Sequence, residues 1–124
     1  MIRLEAATIR EKREARNFNM STVDYSLYLV TDSTPAILGD RDLVEVVEAA
    51  LQGGVTLVQY RDKFSDTGAL VSIAKKLHQV TKKYNVPLLI NDRVDVALAA
   101  GCEGVHIGQD DLGMHLFPPP PLIC

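Results

Sequence analysis

Residues 88–111 read LLINDRVDVALAAGCEGVHIGQDD, and this stretch decides the fold. It opens on the apolar run Leu88-Leu89-Ile90 and breaks into the polar pair Asn91-Asp92. Val94 to Ala100 is a short alanine-rich helix, and Gly101 stands where a glycine closes one. Gly104 to Gln109, GVHIGQ, is a second strand that runs into Asp110-Asp111. Strand, helix, strand implies a βαβ unit with its two strands parallel.

The same alternation extends upstream. Asn85 and Pro87 stop a longer helix whose apolar positions Leu70, Ile73, Leu77, Val80 and Tyr84 share one face. Ser65 or Asp66 caps its start, and Lys82 and Lys83 suit the dipole at its end. Before it lies the strand VTLVQYRDK, Val55 to Lys63. Another helical pattern begins at Asp40, carries Leu43, Val47, Ala50 and Leu51, and ends at Gly53-Gly54. The first strand is YLVTD, Tyr28 to Asp32, followed by a turn region around Pro35 and Gly39. Strand ends at Asp32, Lys63 and Asp92 are spaced 31 and 29 residues, and the next, near Asp110, follows after 18. A regular βα repeat suits a TIM barrel or a doubly wound sheet. No GxGxxG or GxxxxGK[ST] follows any strand, which weakens the nucleotide-binding alternative.

Composition bounds the rest. The chain has 124 residues, 47% hydrophobic and 23% charged, which is one ordinary globular domain at most. Its net charge of −3 disfavours a nucleic-acid partner, and no apolar run is long enough for a membrane span. Cys102 and Cys124 read as free thiols in a reducing, cytoplasmic compartment. Residues 1–20 carry five basic groups and three acidic ones, with no apolar stretch of a secretory signal. They read as a charged, disordered extension; a second reading starts translation at Met20.

Polar residues at strand ends carry the chemistry, because the C-terminal ends of barrel strands are where active sites sit. Strand alternation puts Gln59, Arg61 and Lys63 on one face, and Val58, Tyr60 and Asp62 on the other. An amide and two cations at a strand end form an anion site, with Arg61 as a planar fork and Lys63 as a mobile point charge. The plainer reading has Arg61 and Lys63 solvated or paired with Asp62 and Asp66. Asp92, Asp110 and Asp111 emerge on the same side and are hard oxygen ligands suited to Mg²⁺. The competing reading of Asp92 is a helix cap, and of Asp110 and Asp111 a solvated turn. Thr31 and Asp32 line the rim or form a turn. His106 reads as a hydrogen-bonded core group before a catalytic base. Cys102 reads as packing.

Taken in order, YLVTD, VQYRDK and residues 88–111 resemble thiamine phosphate synthase, and residues 31–43 are similar to the synthase half of fungal bifunctional enzymes that carry a hydroxyethylthiazole kinase. The resemblance covers about Tyr25 to Leu112. It implies a (β/α)₈ TIM barrel of the α/β class. The implied enzyme is a transferase that joins hydroxymethylpyrimidine diphosphate to a thiazole phosphate and releases pyrophosphate. It further implies that Gln59, Tyr60, Arg61, Asp62 and Lys63, with Asn91, bind the pyrimidine diphosphate. Arg61 and Lys63 act in catalysis, and Asp92 and Asp111 hold Mg²⁺. The family places no ligand at Asp110.

The chain departs from that pattern after Asp111. Four consecutive prolines, Pro118 to Pro121, cannot continue a helix, so residues 113–124 read as an aberrant Pro-rich tail. A closed barrel needs about 200 residues or more, so residues 21–112 read as a half barrel of four strands. That half would expose an apolar inner face and unpaired edges at its first and fourth strands. The expectation is an inactive fragment, with self-association as the route to a homo-oligomer. The alternatives are a tautomerase-like relative and a non-catalytic remnant.

Overall fold

The computed structural model describes residues 2–4, 23–107 and 114–116. Its strands are β1 (Ile2–Leu4), β2 (Leu27–Val30), β3 (Leu57–Tyr60), β4 (Leu88–Asn91), β5 (Gly104–His106) and β6 (Met114–Leu116). Its helices are α1 (Pro35–Leu38), α2 (Leu43–Gln52), α3 (Thr67–Lys83) and α4 (Val94–Ala100). The six strands form one sheet in sequence order. From β2 to β5 each strand runs parallel to the next, with Val30 beside Gln59, Gln59 beside Leu89, and Leu89 beside Gly104.

Helix boundaries follow the local chemistry. Asp42 caps α2 by accepting from the Val44 amide at 2.8 Å, and Asp66, not Ser65, caps α3 by accepting from Ala69 at 2.8 Å. Gly101, at φ 71°, closes α4 in the left-handed region where a Cβ is costly. The turn region after the first strand contains the single helical turn α1, started by Pro35.

Period-2 alternation sorts the sheet into two faces. Val58, Tyr60, Leu88, Ile90 and Val105 face the helices and pack on Val47 and Leu51 of α2 and on Leu70, Ala74 and Leu77 of α3. This is the main core. On the opposite face Leu57 and Leu89 are buried beneath Val23, Tyr25 and Tyr28. Tyr25 and Tyr28 meet edge to face, with ring centroids 6.4 Å apart. The loop from Asp24 is fastened by Thr56, whose hydroxyl donates to the Asp24 carbonyl at 2.9 Å and accepts from the Leu27 amide at 3.0 Å.

Two expectations change here. The inner face is not bare, because residues 23–28 fold over its lower half. The outer edges of β2 and β5 are not open either. Ile2–Leu4 pairs antiparallel with β2, and Met114–Leu116 pairs antiparallel with β5. Both triplets were read as parts of an extension and a tail. An unpaired edge is a row of unmet backbone donors and acceptors, and short flanking segments satisfy them whatever their side chains. Residues 1, 5–22, 108–113 and 117–124 lie outside the described residues, as do most of the calls made on them. No helix among the described residues is long and apolar enough to cross a membrane.

Candidate active site

Strands β2, β3 and β4 end side by side, so the loops after them share one rim of the sheet. The loop after β3 is pinned to the end of β2. The Thr31 amide donates to the Gln59 carbonyl at 2.9 Å, and the Arg61 amide donates to the Thr31 hydroxyl at 3.1 Å. Asp32 accepts from the Thr34 amide at 2.9 Å, a turn-forming bond that is the main reason its carboxyl lies below the usual range. Between residues 32–35 and 61–65 opens a cleft of about 400 Å³. Arg61 and Lys63 line it, facing Ser33 and Thr34. Among the described residues the Ser33 hydroxyl is buried without a hydrogen-bond partner.

Asp62 builds the loop. Its carboxylate accepts from the amides of Phe64 (2.9 Å) and Ser65 (3.0 Å), and from the hydroxyls of Ser65 (2.6 Å) and Tyr60 (3.1 Å). Burial opposes its charge, but these hydrogen bonds outweigh burial and hold its pKa below the ordinary value. Tyr60 is only 1% exposed and sits in the helix-side core. Burial pushes its phenol up, and the neighbouring Asp62 adds to the effect. Tyr60 and Asp62, grouped with the diphosphate-binding set by resemblance, are thus occupied in holding the loop. Tyr60 faces away from the inner rim.

The inner rim carries a row of amides. Gln59, 3% exposed, donates through Nε2 to the Tyr28 hydroxyl at 2.6 Å and accepts at Oε1 from Asn91 Nδ2 at 2.9 Å. His106 lies beside Asn91 in the register of β4 and β5. Its Nδ1 is buried with no hydrogen-bond partner among the described residues, which departs from the reading of a satisfied core histidine. Strand β3 ends at Tyr60, so alternation stops there and the loop alone sets where Arg61 and Lys63 point.

Asp92 follows β4 with φ 62°, a left-handed conformation uncommon for a residue with a side chain. Its amide donates to the His106 carbonyl at 2.8 Å, and the Arg93 amide donates to Asn91 at 2.8 Å. Asp92 is not the cap of α4. The cap position is Arg93, which makes no side-chain cap bond. The Asp92 carboxylate instead pairs with Lys63 Nζ, across from the neighbouring loop. Arg61 is exposed, and among the described residues its guanidinium takes no hydrogen bond or ion pair.

A hard dication such as Mg²⁺ uses one or two carboxylates and completes its shell with substrate phosphate and water. The Asp92 side chain is 39% exposed at the rim and fits that donor class. Asp110 and Asp111 lie outside the described residues. Cys102 is buried, and burial pushes its thiol up to about 12, the state of an inert packing residue.

Tyr28 and Ser33 were not read from sequence as site residues, and His106 was read as a core group before a catalytic base. For His106 the signal was present, as a histidine in a short apolar strand on the same alternation phase as the rim residue Asn91 beside it.

Comparison with known proteins accords with this geometry. A family model described as thiamine monophosphate synthase matches residues 27–116. The chain is 55% identical over 95 residues to the thiamine biosynthetic bifunctional enzyme of Saccharomyces cerevisiae, covering 77% of this chain and 17% of that protein. It is 51% identical over 94 residues to the thiamine-phosphate synthase of Clostridium novyi, covering 76% of this chain and 45% of the relative. The solved thiamine phosphate pyrophosphorylase from Pyrococcus furiosus superposes with a TM-score of 0.60 at 40% identity, over 68% of this chain and 40% of that one. The chain therefore spans less than half the length of each of these proteins. The solved structure and the sequential parallel sheet agree on a TIM-like α/β fold, here as a half barrel. The matched span begins at β2 and takes in every strand whose end forms the rim, so this chain belongs to the thiamine monophosphate synthase family.

Proposed function

We propose that this chain carries the pyrimidine-diphosphate side of a thiamine phosphate synthase active site. The reaction would join hydroxymethylpyrimidine diphosphate to a thiazole phosphate. The observation that carries this reading is the convergence of Arg61, Lys63 and Asp92 on adjacent loops at the C-terminal ends of β3 and β4.

The chemistry asked of such a site is cleavage of the C–O bond to the diphosphate. The electron pair leaves with pyrophosphate, and the electron-rich aminopyrimidine stabilises the methylene cation that the thiazole captures. No protein nucleophile is needed. Negative charge grows on the leaving group, and donors already aimed at it lower the barrier. Arg61, which makes no hydrogen bond or ion pair among the described residues and meets the Asp32 carboxylate only through space, is placed to bind the departing oxygens. Lys63 provides a second, mobile cation. Asn91, oriented by Gln59, stands where the pyrimidine would meet the inner rim. Asp92 and Asp111 would hold Mg²⁺, which supplies positive charge to the diphosphate oxygens when bound.

The bifunctional description of the Saccharomyces cerevisiae relative supports a second fused activity in a longer product, which the sequence resemblance identifies as hydroxyethylthiazole kinase. A cytoplasmic location and self-association belong to the same reading.

Calorimetric titration of the chain with hydroxymethylpyrimidine diphosphate and Mg²⁺ tests it. Binding is expected, with loss of about tenfold or more on Arg61→Ala, because a charge-assisted hydrogen bond is worth roughly 1.5–3 kcal/mol. Thiamine phosphate formation by the chain alone is expected to stay at the no-protein control. Absence of diphosphate binding, or binding indifferent to Arg61→Ala, would overturn the reading.

A further inference from the structure

We infer that Lys63 is the resident counter-cation of Asp92, and that it is handed to the diphosphate when a divalent cation takes its place. This deepens the proposed function and rests on Asp92 being a metal ligand.

The two partners differ in freedom. The Asp92 backbone is fixed by hydrogen bonds at its own amide and at that of Arg93, and it is held at φ 62°. Its Cα is therefore held at a set point on the rim, and its short side chain reaches little beyond it. Lys63 sits in a loop on a four-carbon stem, with its side chain 42% exposed. The neighbouring cation Arg93 is engaged elsewhere, with Asp95 at 2.8 and 2.9 Å and with Thr67 at 2.7 Å. Thus the ammonium is the group that can move, and the carboxylate stays.

A dication arriving alone must displace that ammonium and then lie beside it, which is a like-charge cost. A diphosphate arriving alone finds Lys63 already paired. When both arrive, the dication takes the carboxylate and the ammonium swings to phosphate oxygens. Each ligand removes the obstacle to the other, and such coupling is reciprocal. Lys63 thereby makes the site respond to the metal–diphosphate pair more than to either ligand singly.

The test uses the 124-residue chain. Mn²⁺ affinity is read from the electron paramagnetic resonance of the free ion, and inorganic pyrophosphate affinity from calorimetry with and without Mg²⁺. Lys63→Met is expected to bind Mn²⁺ alone about two- to fivefold tighter, the scale of an exposed ion pair. Arg61→Met, which removes a cation not paired with Asp92, should tighten Mn²⁺ less. Lys63→Met should weaken pyrophosphate about tenfold with Mg²⁺ present, but less than about threefold without it. A simple loss of positive charge would do the reverse, since the metal-free site has fewer cations to spare. Lys63→Gln repeats the measurement with a polar side chain. Unchanged or weaker Mn²⁺ binding in both Lys63 variants, or equal pyrophosphate losses with and without Mg²⁺, overturns the inference. If Asp92→Asn leaves Mn²⁺ binding intact, the ligand reading of Asp92 falls and the inference with it. If Asp92→Asn abolishes binding while the Lys63 variants do not tighten it, only the handover is wrong.

Discussion

Asn91 donates to Gln59 Oε1 at 2.9 Å, so the end of β4 is oriented by a side chain from the middle of the rim rather than by solvent. Gln59→Leu would leave that donor and the Tyr28 hydroxyl without their shared partner. A buried polar group stripped of its hydrogen bond costs about 1–3 kcal/mol. A fall in the thermal midpoint is expected for Gln59→Leu, measured by circular dichroism.

Tyr60→Phe and Arg61→Ala should separate stability from ligand binding. Tyr60→Phe removes one bond to Asp62 from a half-buried loop and should cost about 1 kcal/mol in denaturant melts. It should leave pyrophosphate affinity nearly unchanged. Arg61 is exposed and makes no hydrogen bond or ion pair among the described residues, so Arg61→Ala should do the opposite. Parallel effects from the two variants would contradict the division.

Asp62 should make the loop acid-sensitive. Its pKa in the fold lies below the ordinary 3.8, so its contribution is fully present above about 4 and is lost as pH falls through the depressed folded value. Between pH 5 and pH 2 the native protein should lose more stability than Asp62→Asn, which has no charge to titrate. Thermal melts across that range read the difference.

The left-handed backbone at Asp92 has a measurable cost. Comparing Asp92→Gly with Asp92→Ala cancels the lost carboxylate in both and leaves the backbone term. Glycine should be more stable by about 1 kcal/mol, since only alanine keeps the strained φ with a Cβ. Both variants should lose Mn²⁺ binding. Equal stability would mean the loop relaxes without effort.

Cys102 should resist iodoacetamide in the native state, in a Cys124→Ser background that leaves one thiol. It is 2% exposed, and its thiol is pushed up to about 12, so little thiolate exists at neutral pH. Labelling should appear only as denaturant unfolds the chain.

Much of the fold was legible because it is written in local periods. The stripe of Leu70, Leu77 and Val80, the cap read at Ser65 or Asp66, and Gly101 each place an element from its own neighbourhood; the start of α2, read at Asp40, is set by Asp42 two residues later. The edge strands were not legible. Ile2–Leu4 and Met114–Leu116 are strands only because an open edge is beside them; Ile-Arg-Leu and Met-His-Leu alternate, but three residues are too few to announce a strand. The site was partly legible for a similar reason. Which loops meet follows from parallel order, so Arg61, Lys63 and Asp92 were readable as one cluster. Their directions were not. Alternation ended at Tyr60, and the turn that aims Lys63 is set by Asp62 and its four hydrogen bonds. Nor does a sequence announce φ 62° at Asp92, which the bonds to His106 and Asn91 impose.

The sheet's strands stand in the order in which they are synthesised. From β2 onward each new parallel strand therefore has its neighbour already waiting, and no strand must hold a gap open for a later arrival. Loop-closure entropy is met in steps of about thirty residues instead of across the whole chain. The rim from Thr31 to Asp92 can thus assemble on a growing chain, without rearrangement of anything made before it.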